Sequence, residues 1–254
     1  MGIRRMVLSG VGASVFFTGS LGYAAEPAVE PRVTEVLKKM VNYFQGAESL
    51  SFKAIAVTED VSSTLQKLQL DTSMEGVIQR PNKVYFKKSG NEQASLWYDG
   101  QTATILDRKT NKYAKVAVNG DLHALVAKLD ELGIETPFAG LLDKGILQHV
   151  EKHVFKGDYY GATEVDGTPT IHLAFRQDSV DWQLWTDAAT GAPKKVVITS
   201  KMLAAAPEHM LLFKEAIVNS AAIQEAAFEA QIPADATEVR MQSDESAALR
   251  HSAW

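Results

Sequence analysis

Side chains able to do chemistry are sparse in this 254-residue chain. The one spacing suited to a metal is His149-Val150-Glu151-Lys152-His153, since two histidines four apart on a helix face the same way and can share a zinc ion. The stretch sits where a helical pattern gives way to a strand pattern, and on a strand its side chains share a face only by ordinary alternation, so no metal site is expected. His172, flanked by Ile171 and Leu173, takes the parity opposite to its apolar neighbours and reads as a solvent-side strand residue. The acidic pairs Asp130-Glu131 and Asp244-Glu245 read as solvated surface. The sequence contains no nucleophile elbow, no phosphate loop and no zinc-protease helix motif. No catalytic residue, no metal and no cofactor is expected, and the chain reads as a protein that is not an enzyme.

Arg80, in MEGVIQRPNKVYFKK, is the charged residue that stands out. If its strand runs unbroken, Arg80 shares parity with Leu68, Leu70, Met74 and Ile78, which turns a permanently charged guanidinium toward the dry side near the strand's end. Helix C-terminal carbonyls or a carboxylate would then have to satisfy it. In the other reading Pro81 ends the strand and Arg80 swings outward at its tip.

The elements that must position these residues follow from apolar periodicity. From Pro31 to Gln45, Val33, Val36, Leu37, Met40, Val41 and Phe44 recur at helical spacing, with Pro31 suited to the first turn and Gly46 placed as a stop. Leu122, Leu125, Val126, Leu129 and Leu132 predict a second helix ending at Gly133, followed by a short apolar segment from Pro137 to Leu142. Period-two patterns predict strands at 52–56, 68–78, 84–88, 94–98, 102–106 and 113–118. They resume at 153–165, 170–176, 182–186, 195–202 and 210–218, with closing-strand signals at 228–232 and 237–241. Asp99-Gly100 and Asp166-Gly167 are hairpin turns. About ten strands and two or three helices, joined almost throughout by hairpins, give an α+β fold: a strongly curved, mostly antiparallel sheet with helices on one side. One hairpin, VDWQLWTDAATGAPKKVVITSK, carries apolar side chains on both parities: Trp182, Leu184, Val196 and Ile198 on one, Trp185 and Val197 on the other.

At the N-terminus Arg4 and Arg5 precede an apolar run from Met6 to Leu21 and the small residues Gly22 and Ala24, the pattern of a cleavable secretory signal over residues 1–24. The run is too short for a comfortable membrane span. A periplasmic location follows, with one domain over 25–242 and a C-terminal tail over 243–254. The chain has no cysteine, hence neither a disulfide nor a lipid-acceptor thiol. The full chain carries a net charge of -5; loss of residues 1–24 would leave 24 basic against 31 acidic residues, or -7. An acidic mature chain excludes nucleic acid as a partner class and disfavours anchoring on anionic lipid. A monomer is expected.

Four segments, EGVIQRPNKVYFKK (75–88), LWYDGQTATILDRKTNKY (96–113), ETPFAGLLD (135–143) and FEAQIPADATEV (228–239), resemble in order the periplasmic lipoprotein carriers, the LolA-like superfamily. The chain is more similar to an uncharacterised periplasmic branch than to the carrier itself. Arg80-Pro81-Asn82, the Asp99-Gly100 turn and Thr136-Pro137-Phe138 are the most specific pieces. The resemblance implies an open, eleven-stranded antiparallel half-barrel whose concave apolar face is covered by a helical lid. Leu68, Leu70, Met74, Ile78, Trp182, Leu184, Val196 and Ile198 would then line the concave wall. Arg80, Leu37, Met40, Phe44, Leu125, Leu129 and Phe138 would belong to the lid and its gate, and Trp185 and Val197 would lie on the convex side. It further implies a non-enzymatic carrier for a lipid or a lipoprotein acyl chain, with a membrane-protein donor or acceptor. A sensor or regulatory interaction protein of the same fold is the alternative. The Trp-rich hairpin and Met210 to Phe213 have no clear counterpart in the carriers.

Overall fold

In this computed structural model the described residues are 28–134, 146–220 and 223–241. The expected signal segment, the apolar segment at 137–142 with Phe138, and the expected tail lie outside them. Helix α1 (Pro31–Gln45) forms as its periodicity predicts: Pro31 opens it, and Val33, Leu37, Met40, Val41 and Phe44 make one buried stripe. Its start is stitched to the sheet, because Glu30 N–H donates to Gly157 O and Gly157 N–H to Ala28 O.

Two meanders follow. The first is β1 (Ser49–Val61), β2 (Lys67–Gln79), β3 (Lys83–Gly90), β4 (Ala94–Tyr98), β5 (Thr102–Asp107) and β6 (Lys112–Ala117). The second is β7 (Lys156–Val165), β8 (Thr168–Arg176), β9 (Val180–Asp187), β10 (Pro193–Ser200) and β11 (Glu208–Val218). Between them stand α2 (Leu122–Glu131), capped by the Asp121 carboxylate on the His123 and Ala124 amides, and α3 (Ile146–His153). Strand β11 returns beside β1, and a two-residue strand β12 (Thr237–Glu238) pairs parallel with β6. The result is a twelve-stranded open sheet in the order β12-β6-β5-β4-β3-β2-β1-β11-β10-β9-β8-β7, antiparallel except at β12.

Helix α3 corrects the sequence reading, which began a strand at His153. Val150 and Val154, four apart, are both buried, so the segment up to His153 follows the helical period and the strand starts only at Lys156.

Alternation then sets the two faces. In β9, Trp182, Leu184 and Thr186 are buried while the residues between them are half-buried. In β4 and β5 alternation disappears, and all five residues of β4 and the last five of β5 are buried. Their second face is covered by the C-terminal segment, whose Glu225–Phe228 turn lies against β3 and buries Phe228 near Trp97.

Candidate functional site

The concave face carries three apolar clusters. The first joins α1 and α3 to the second meander: Leu37, Met40, Phe44, Val150 and Val154 bury against Leu173, Phe175, Trp182, Leu184 and Val196. Ile78 and Ile198 pack at its margin. The second joins Leu125 and Leu129 of α2 to Leu96, Tyr98, Ala103 and Ile105 of β4 and β5. The third, of sheet residues alone, lies on β1 and β11: Ala54, Ala56, Leu211 and Phe213, flanked by Phe52 and Met74.

This third cluster forms the middle of the concave face. Along β1 and β2 the inward parity is small, with Ala54 and Ala56 opposite Met74 and Thr72, and Phe52 opposite Gly76. Gly76 is required there, since a Cβ would stand 2.5 Å from the Phe52 ring. Large side chains on β3 and β11, Phe86 and Phe213, rise on either side of this floor, 6.2 Å and 6.1 Å from Phe52 by ring centroid. Between the two helix-bearing clusters, Ala54, Ala56 and Thr72 thus form a strip of small side chains bordered by larger ones, a trough in outline whose Gly76 end is filled by the Phe52 ring. Its floor was legible as a period-two strand at Phe52, Ala54 and Ala56, and its β11 wall as the Met210–Phe213 run, but neither was expected as part of a site.

The remaining wall residues divide. Met74 flanks the trough, whereas Leu70 is half-buried and Leu68 is 43% exposed, beyond the helix-covered region. The structure therefore gathers Trp182, Leu184 and Val196 with Leu37, Met40 and Phe44, keeps Leu125 and Leu129 in a separate cluster, and leaves Leu68 near solvent. Beneath α1 the packing is close: the void bounded by Phe44, Leu50, Ile78, Arg80 and Leu122 is about 20 Å³, room for about one water.

Arg80 sits at a corner that ties both helices to the sheet. It is half-buried and borders that small void, between the end of α1 and the start of α2. Its N–H donates to Glu48 O at 2.8 Å, just past α1, and Leu122 N–H at the head of α2 donates to Pro81 O at 3.2 Å. Asn82 packs on the Asp99-Gly100 turn, where a Cβ at Gly100 would overlap the Asn82 amide. The Asp99 carboxylate closes the turn by accepting from the Gln101 and Thr102 amides, both at 2.8 Å.

On the convex side, His172 stacks on Trp185 with ring centroids 4.2 Å apart, and the Lys195 ammonium lies 4.7 Å from the Trp185 ring on the next strand. His172 Nε2 lies 3.0 Å from Gln183 Oε1. Burial, reinforced by the charge on Lys195, holds the imidazole below its ordinary pKa, against the Gln183 hydrogen bond that favours the proton. Trp185 and Val197 thus take the convex parity, Trp185 half-buried and Val197 buried. Also on this side, a recess of about 330 Å³ lies between β4, β5 and the C-terminal segment, lined by Lys83, Asp99, Glu225 and Glu229 beside Trp97 and Phe228, too charged to suit an acyl chain. No cluster of three or more potential metal ligands occurs among the described residues, and His153 ends α3 exposed.

A family model described as predicted periplasmic protein (DUF2092) matches residues 34–242. Among solved structures, MucB is similar at 15% identity with a TM-score of 0.50, over 81% of this chain and 64% of that one, so the chain spans less than two thirds of MucB. An uncharacterised conserved protein from Thermus thermophilus aligns over 82% of this chain and 99% of its own at 10% identity, TM-score 0.49. LprF from Mycobacterium bovis aligns over 83% and 100% at 14% identity, TM-score 0.45. No curated protein sequence matches. At such identities the likeness concerns the fold alone, an unclosed, strongly curved, mostly antiparallel sheet with few helices.

Proposed function

The chain belongs to the predicted periplasmic DUF2092 family, and on that premise we propose that it is a non-enzymatic periplasmic carrier holding an acyl chain between its concave sheet and its helices. The observation that supports this most directly is the trough. One apolar concave face runs across both meanders, and its middle, where Ala54, Ala56 and Thr72 lie between Phe52, Met74, Leu211 and Phe213, packs as a cluster of sheet residues alone. A strip of small residues between two separately packed helix clusters is where an acyl chain would lie once the cover lifts.

With a void of only about 20 Å³ beneath α1, this is a closed state. Uptake requires α1 with α3, or α2, to move off the sheet, and the Arg80–Asn82 corner is where both covers are tethered. Burial supplies about 0.8 kcal/mol per methylene, so about ten methylenes contribute roughly 8 kcal/mol toward the cost of displacing the helices.

The test is saturable uptake of N-phenylnaphthylamine by delipidated protein, with displacement by a lysophospholipid. Met74→Glu, at a half-buried position beside the trough, is expected to reduce uptake at least tenfold while the thermal midpoint changes little. Wild-type protein that shows no saturable uptake would make the three clusters ordinary cores and end the carrier reading.

A further inference from the structure

We infer that the end of the sheet carrying the β1–β2 and β10–β11 turns is a bilayer-docking tip, whose apolar side chains insert into the surface of a phospholipid membrane. This deepens the carrier reading by naming the surface at which an acyl chain would be handed over, and its own test needs no ligand.

The tip projects. Pairing of β2 with β3 stops at Thr72↔Gly90, whereas pairing of β2 with β1 continues to Val61↔Lys67. Residues Lys67 to Asp71 therefore run beyond β3, roughly 17 Å of strand. The neighbouring β10–β11 loop stands beside this hairpin and is tied to it: Lys67 Nζ donates to Ala206 O at 3.1 Å and pairs with Glu59 at 2.9 Å, and Glu59 accepts from Glu208 N–H at 2.8 Å. Both turns are internally hydrogen-bonded. Ser62 N–H reaches Gln66 O and Leu65 N–H reaches Ser62 O; in the loop, Ser200 N–H reaches Pro207 O and Ala206 N–H reaches Leu203 O. The tip is preorganised.

What it presents is apolar where turns are ordinarily polar. Leu65 is 61% exposed, Met202 78% and Leu203 59%, and Met202 to Ala206 is a run of five residues without a polar side chain. The backbone adds an independent sign. Among the described residues the non-glycine positions with left-handed φ are Asn111, Asp166 and Asn219, of the types that adopt it cheaply, and Leu65, Ala205 and Ala206. All three of the costly choices fall in the tip. Leu65, an exposed apolar residue held there against local backbone preference, points to a use for its side chain.

A bilayer fits this surface better than a protein groove does. The side chains stand out on two adjacent turns. Lys67 and Lys201 lie just behind them, as interfacial lysines do, and each is already paired, with Glu59 and with Asp181 at 2.8 Å. Their charge is locally cancelled, so insertion rests on the apolar side chains and not on anionic lipid. Leu68 and Leu70, on the parity of Met74, continue the apolar strip from the tip back to the trough.

The test is flotation of the mature chain with vesicles of phosphatidylcholine alone and of phosphatidylcholine mixed with phosphatidylglycerol. Binding to both, insensitive to salt, is expected. The triple variant Leu65→Asn, Met202→Ser, Leu203→Ser should lower the bound fraction at least tenfold, with an unchanged or raised thermal midpoint because Asn accepts the left-handed turn. Leu203→Trp supplies a second readout, a blue shift of emission on adding vesicles. Wild type that fails to float, floats only with the anionic vesicles and is released by salt, or floats equally well as the triple variant would overturn the inference, as would an emission maximum in L203W that vesicles leave unshifted. Probe uptake by the trough should persist in the triple variant; its absence from wild type would refute the carrier reading while leaving the flotation result standing.

Discussion

Replacing Leu37 with Ala separates a moving lid from a fixed core. Leu37 is fully buried in the cluster that holds α1 on the second meander. Truncating a buried leucine costs about 3 kcal/mol, from lost transfer energy and the cavity left behind. If α1 lifts when an acyl chain is taken up, those contacts are already absent in the bound state, and the substitution weakens the closed state alone. The cost of opening then falls by up to about 3 kcal/mol as well, and apparent affinity rises by as much as on the order of 100-fold. Urea unfolding measures the first quantity and titration with the naphthylamine probe the second. Leu129→Ala makes the equivalent change under α2, and the helix whose truncation tightens binding is the one that moves. Leu106→Ala, buried on β5 outside both helix-bearing clusters, should lower stability without tightening binding. A Leu37→Ala protein destabilised by about 3 kcal/mol that binds the probe no better than wild type would refute the reasoning: α1 would then be core in both states.

Two further outcomes test the corner and the convex stack. Gly100→Ala forces a side chain into a left-handed turn at φ +98° and against the Asn82 amide, so a loss of roughly 1–3 kcal/mol is expected by urea unfolding; an unchanged midpoint would show that Asn82 does not lean on the turn. His172 is held neutral, its folded pKa lying below the unfolded value of about 6.5. Its contribution to stability is complete above that pH and is lost as pH falls through the depressed folded pKa; His172→Gln should flatten the slope of urea midpoint against pH in that window, and an identical slope in both proteins would exclude His172 as its source.

Much of the architecture was legible because it rests on local pattern. The α1 stripe, the α2 periodicity that ends at Gly133 and the Asp-Gly hairpins all follow from residue types at fixed spacing. Arg80-Pro81-Asn82 and Asp99-Gly100 were singled out separately in the sequence, and the structure shows why they belong together: Asn82 occupies the space that the missing Gly100 side chain leaves. Other features depend on partners far along the chain. The sequence reading has β4 and β5 as period-two strands, and their burial on both faces escaped it because the cover that explains it, Phe228 and its neighbours, arrives more than a hundred residues later. Alternation at Trp182, Leu184 and Val196 reported burial, and burial alone does not distinguish a wall from a packed core; here α1 fills the space. The strip of small residues on β1 and β2 was hidden for the converse reason, since Ala, Thr and Gly on a strand carry little hydrophobic signal.

The two margins of the sheet bear on how the protein keeps its own company. A row of unpaired backbone groups at an open edge is a template for another strand, and a half-barrel has two such edges. At one, β12 lays two residues on β6, extended by Val239 N–H to Tyr113 O and by the Tyr113 hydroxyl on Glu238. At the other, residues 28–30 cover the start of β7, a register shift between Tyr159 and Gly161 breaks its regularity, and Glu164 stands exposed farther along. With both margins blunted, the sheet can stay unclosed, and so deformable, without inviting a neighbouring copy to complete it.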